Sequence, residues 1–291
     1  MRYFLFAAVL MLLSCHLLSP HSSVAEDSNA PFPQRIVSLG PMNTENVFLL
    51  GAGEHLVGTT SYCVRPAAAK EKAKIGSVMQ FSVEKILSLH PDLILATGLT
   101  SPPQIEKLRK LGMKVVQFRQ PASFAEICNQ FLEIGKLLGL EQRAEEIVRQ
   151  AKSKVKAITA QSASLPRRNV FLQIGATPLF GAAKDSFTQD YIALSGGINV
   201  LEDQTAGATS FEKVLERNPD VILIAMMGSE TGIARQEKEK WQRFPFVSAV
   251  QNKQVHVISP DLVCSPSPAT FANTLSIIAK LINPELKTAV Q

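Results

Sequence analysis

Few side chains in this 291-residue chain are suited to chemistry. The cysteines are Cys15, Cys63, Cys128 and Cys264, and past the first 25 residues the histidines are His55, His90 and His256. Cys63 and Cys264 fall in turn-rich stretches, where two thiolates can touch the metal of a bound chelate or close a disulfide. Neither has the C-x2-C spacing of a protein-held zinc site, so the plainer reading is two partly buried small side chains. Cys128 sits on an apolar helical period and reads as core. His90 ends a helical pattern and His256 lies inside a strand pattern, which leaves no His–carboxylate cluster for a bare metal ion. The chain has no G-x-S-x-G elbow, no Walker loop and no H-E-x-x-H helix. It therefore reads as no enzyme and as holding no metal or cofactor of its own. The enzymatic alternative is a secreted α/β hydrolase whose Ser, Asp and His converge without a motif.

The elements that must position these residues include a repeat. Ser82, Glu84, Lys85, Leu87, Pro91, Asp92, Ile94 and Leu95 recur, without a gap, as Ser210, Glu212, Lys213, Leu215, Pro219, Asp220, Ile222 and Leu223. Each copy reads as helix, turn and strand. The Ser oxygen can accept from orphan N–H groups of the first turn, and the Glu sets negative charge at the positive helix end. The Pro stops the helix, and the apolar run after it reads as a strand buried on both faces. One unit repeated at long range implies two lobes on one plan, each an α/β layer with a parallel sheet.

At the start, Arg2, an apolar run over residues 3–13 and the small-x-small site ending at Ala25 read as an export signal over residues 1–25. The run is too short to span a bilayer. Residues 12–15 also resemble a lipobox, with Cys15 as a lipidation point. A tether follows over residues 26–33, then an N-terminal lobe over 34–138, a connecting helix over 139–162 and a C-terminal lobe over 168–291. The connector carries no Gly or Pro between residues 141 and 160, so it reads as a rigid helix of ~30 Å rather than a flexible hinge. A net charge of +5, without a basic run, points away from nucleic acid.

Two α/β lobes, a rigid connecting helix, an export signal and the paired repeat resemble the helical-backbone class of substrate-binding proteins. These proteins serve ABC importers of cobalamin, iron-siderophores and haem. The segments at residues 41–45, 57–62, 170–175 and 196–199 are similar to the cobalamin-binding branch of that class. The resemblance implies two Rossmann-like lobes with a ligand cleft between them, and a monomer that delivers cargo to an inner-membrane ABC permease dimer with its ATPase subunits. It implies a periplasmic location after cleavage at Ala25, or lipid anchoring at Cys15. Tyr62 and the segment Asp261, Leu262, Val263, Cys264 and Ser265 match ligand-contacting positions of the branch, with Leu262 and Val263 standing where the branch has aromatics. Open α/β sheets bind beyond their strands' carboxyl ends, which adds Cys63, Met79, Phe81 and Phe180 as possible contacts. The cleft loops are poor in cations, so a large, weakly charged corrinoid is expected as cargo rather than an anionic siderophore or haem. Glu84 and Glu212 are equivalent carboxylates on equivalent lobes, and the resemblance assigns that pair to docking on the permease.

Overall fold

The computed structural model describes residues 32–226 and 232–286. The export signal, its cleavage site, Cys15 and most of the tether lie outside the described residues. The first sheet is built from β1 (Ile36–Ser38), β2 (Leu56–Thr59), β3 (Ala73–Lys74), β4 (Leu93–Thr97) and β5 (Val115–Phe118). These strands pair in the order β3-β2-β1-β4-β5, all parallel. Helices α1 (Pro41–Leu49), α2 (Val83–Ser88), α3 (Pro102–Lys110) and α4 (Phe124–Leu137) connect or follow them. The strand order reverses at β1 and β4, so the loops after Ser38 and Thr97 open the kind of crevice in which such sheets bind ligands. The Thr97 side chain packs close against the Gly40 backbone there: a Cβ on Gly40 would lie 2.4 Å from Cγ2 of Thr97.

Helix α5 (Glu141–Ser162) leads to the second sheet. Its strands are β6 (Asn169–Ala176), β7 (Leu179–Gly181), β8 (Ile198–Asn199), β9 (Val221–Ile224) and β10 (Val255–Val257). The path is β10-β9-β6-β7, with β8 also pairing β6. Helices α6 (Phe187–Leu194), α7 (Phe211–Glu216), α8 (Ile233–Gln242), α9 (Ser248–Gln251), α10 (Pro260–Val263) and α11 (Pro268–Ile282) complete this half.

The repeat behaves as its residues dictate. Ser82 Oγ accepts from the amide of Lys85 at 3.1 Å, and Ser210 Oγ from that of Lys213 at 3.3 Å. After each helix the chain turns through a left-handed residue, His90 at φ 45° and Asn218 at φ 41°, before the proline. The following aspartates tie each unit to the central strand of its sheet. Asp92 accepts from the amides of Gln34 and Arg35 at 2.7 and 3.1 Å, and Asp220 accepts from Asn169 at 2.8 Å.

Helix α5 is a packed element rather than a bare spacer. Its buried stripe of Ala144, Ile147, Val148, Ala151, Val155 and Ile158 belongs to one apolar cluster, which includes Ile36 and Phe131 on one side and Val170 and Phe271 on the other. At 22 residues it spans about 33 Å.

Two expectations need correction. Residues 175–181 form the turn and second strand of a hairpin in which β7 pairs antiparallel with β6, so the second sheet is mixed at that edge rather than wholly parallel. The stretch around Cys264 is not all turn: the segment 261–265 begins as the helical turn α10. Helix α1 starts at Pro41, because proline's fixed φ suits the first helical position.

Candidate functional site

The carboxyl ends of strands from both sheets converge on one crevice. Pro41 follows β1, Tyr62, Val64 and Arg65 follow β2, and Asp261 and Ser265 follow β10; together they line its narrow part. A separate cavity of about 290 Å³ is lined by Cys264, the chain neighbour of Ser265, and has Gln120, Pro121 and Ala122 from beyond β5 on one side. Ile174 and Phe180 of the hairpin, residues 185–188 and Cys264 form the other side.

Several expected contacts reach this space. Tyr62 is 48% exposed, so its ring is free to stack while its hydroxyl stays wet. Asp261 is exposed and Ser265 partly so. Phe180 lines the larger cavity at 38% exposure. Met79 lines neither space; it is 64% exposed on a turn closed by Ser77 and Gln80, whose backbones bond at 2.7 Å. Phe81 also lines neither and packs in part against the first sheet's core.

Others do not. Cys63 is fully buried. Its Sγ lies 3.1 Å from the hydroxyls of both Thr44 and Thr60, which makes it a core group and removes it as a contact for cargo metal. Val263 is fully buried, and Leu262 faces the crevice's support through its carbonyl, which accepts from Tyr191 at 3.3 Å and Thr274 at 3.2 Å. Cys264 does line the cavity, but its thiol is free, as are those of Cys63 and Cys128, so no disulfide crosses the mouth. Burial, with the Asp261 charge added, pushes the Cys264 thiol up to about 12, and burial raises Cys128 to about 11. Neither is a ready thiolate at neutral pH.

Residues 120–122 and 185–188 were missing from the sequence reading. The first group follows β5, so the strand-end rule could have found it. The second spans the short connection after β7 and the first residues of α6; it follows an antiparallel strand, so a rule for parallel strand ends does not reach it.

The crevice's electrostatics centre on Arg65. Its Nε donates to Glu45 Oε2 at 2.8 Å, and its Nη2 donates to the same oxygen and, at 3.0 Å, to the Ser265 carbonyl. Nη1 donates to the Asp261 carbonyl. Glu45, 8% exposed, also accepts from Ser267 Oγ at 2.8 Å and from Thr270 Oγ1. Among the described residues lining the two spaces, Arg65 is the one cation, while Asp185 and Asp261 add negative charge. Among the described residues no three His, Cys, Asp or Glu side chains cluster as a metal site, and no helix is long and apolar enough to cross a membrane.

Glu84 and Glu212 lie away from the crevice, exposed in the first turns of α2 and α7. Each carboxyl is held below the usual glutamate range by its own backbone N–H and then by the capping serine, with Ser82 Oγ 3.0 Å from Glu84.

Over residues 36–262 the sequence matches the family described as periplasmic binding protein. A vitamin B12-binding protein of Vibrio cholerae is 30% identical over 268 residues, which cover 90% of this chain and 94% of that protein. An uncharacterized ABC transporter substrate-binding lipoprotein of Bacillus subtilis is 30% identical over 244 residues, covering 81% and 76%. The crystal structure of the periplasmic vitamin B12 binding protein of Vibrio cholerae superposes with a TM-score of 0.74 at 28% identity, over 87% of this chain and 98% of that one. A periplasmic heme binding protein from Pseudomonas aeruginosa superposes with a TM-score of 0.78 at 24% identity, covering 89% and 96%, a likeness of fold.

Proposed function

This chain belongs to the periplasmic binding protein family, as a substrate-binding protein of an ABC transporter, and we propose that its cargo is a corrinoid such as cobalamin. The observation that carries this reading is the charge of the crevice. Its one lining cation, Arg65, is already paired with Glu45 and bonded to two carbonyls, while Asp261 lines the narrow part and Asp185 the larger cavity. An anionic catecholate siderophore or the propionates of haem would enter without a free cationic partner, which is costly in a partly desolvated site. A large, weakly charged macrocycle meets no such penalty, and Tyr62 and Phe180 offer it ring faces. The similarity to vitamin B12-binding proteins supports the same choice.

In this reading the protein is exported to the periplasm, holds no cofactor of its own and works as a monomer. It presents loaded cargo to a two-fold permease through Glu84 and Glu212. Isothermal titration with cyanocobalamin, a ferric hydroxamate and haem tests the cargo. Tight binding of cyanocobalamin with weak or no binding of the others is expected; tight binding of an iron compound alone would overturn the corrinoid assignment.

A further inference from the structure

We propose that Arg65, gripped by Glu45, is a positioning residue of the cleft: it fastens residues 261–265, from the second half of the chain, to the Tyr62 loop before any cargo arrives. The proposal rests on the reading of Tyr62 and this segment as cargo contacts. Arg65 lies three residues after Tyr62, and its fork reaches across to the carbonyls of Asp261 and Ser265. Its Nε and the other Nη2 hydrogen go to Glu45. Glu45 does not line the crevice, and its other oxygen binds Ser267 and Thr270 at the start of α11. The carboxylate therefore joins both halves as well. The carbonyl between these anchors, that of Leu262, accepts from Tyr191 and Thr274.

Two physical points favour positioning over direct recognition. An arginine whose Nε, Nη1 and Nη2 are all engaged has little left to offer a ligand. A planar guanidinium also meets three acceptors in fixed directions, which a flexible ammonium cannot reproduce. Ordering a binding segment in advance removes that ordering cost from the binding step, so affinity rises without a new contact.

The test uses the full chain and the variants R65Q, E45Q and R65K. Hydrogen exchange in cargo-free protein reads residues 261–265, where the amides of Leu262 and Cys264 bond to Ser259 and Pro260. In R65Q and E45Q these amides should exchange about tenfold faster or more, while those of β1, β4, β6 and β9 keep their protection. Cyanocobalamin affinity should fall about tenfold in both, chiefly through slower association, although Glu45 lies outside the crevice; R65K should restore part of each loss. Unchanged exchange at 261–265 in folded R65Q would overturn the proposal. So would E45Q binding cyanocobalamin like the wild type while R65Q does not, because Arg65 would then act on the cargo itself. If E45Q fails to fold, R65Q and R65K decide through exchange alone. Wild-type protein that ignores cyanocobalamin counts against the corrinoid reading, and the exchange comparison still stands by itself.

Discussion

Tyr62 presents the largest exposed ring in the narrow part of the crevice, and its chemistry separates two uses. If the ring stacks on a macrocycle, Tyr62→Ala should weaken cyanocobalamin binding by about tenfold or more, while Tyr62→Phe keeps most of it. Titration calorimetry on the two variants checks this; equal loss in both would mean that the hydroxyl, not the face, is used. The same scale shows why residue type alone misleads. Cys63 follows Tyr62 directly, yet one side chain is 48% exposed and the other is not exposed at all. The difference comes from Thr44 and Thr60, which close over the sulfur from α1 and the end of β2. Nothing in the local sequence around Cys63 states that Thr44 will be beside it.

At the scale of elements, the two short repeat helices combine a structural and an outward role. Their serines cap, their aspartates anchor the central strands, and their glutamates stay exposed. A glutamate that only complements its helix end would be worth ~0.3–1 kcal/mol and would leave transport untouched. Docking predicts otherwise. The double change Glu84→Ala and Glu212→Ala should keep cargo affinity but abolish stimulation of the reconstituted transporter's ATPase. Because both carboxyls are held below the usual glutamate range, they stay ionised as ordinary glutamates begin to protonate. Stimulation should therefore persist through that onset and fade only at lower pH. A second element-level prediction concerns α4 against α5. A Cβ on Gly135 would lie 2.5 Å from Cβ of Ala144. Helix propensity alone makes Gly→Ala favourable by ~1 kcal/mol, but forced overpacking costs ~1–3 kcal/mol. Gly135→Ala should lower the urea midpoint; a raised midpoint would show that the helices part easily.

For the whole molecule, the relevant quantity is how far the two sheets can move apart. Helix α5 has no internal glycine or proline, and sharp bends need an identifiable breaker. Its buried face is shared with side chains from both halves, and Asp190 of α6 accepts the amide of Phe124 at 2.7 Å, a further tie between them. Small-angle scattering with and without cargo should show a change in radius of gyration below about 1 Å, a shear-scale adjustment rather than hinge closure. A change of several ångströms would show that neither the helix nor the ties hold.

The sequence by itself determined the parts whose cause is local. Serine before an amphipathic run makes a cap, proline after it ends the helix, and an apolar run beyond makes a buried strand, so both repeat units were legible. So was the connecting helix, from its length and its lack of breakers. The strand-end rule singled out Phe180, which lines the larger cavity, because it needs only the order of elements. What the sequence left open depends on partners far along the chain. The segment 261–265 showed no helical period over its few residues, and β7 became visible as a strand only when β6 was there to pair with it. Val263 and Cys63 fall inside because other elements cover them, not because of their neighbours. The link from Arg65 to Glu45, Asp261 and Ser265 joins residues up to 200 positions apart. Short-range propensity cannot encode such a contact, since it exists only once packing has brought two sheets and α11 to one point.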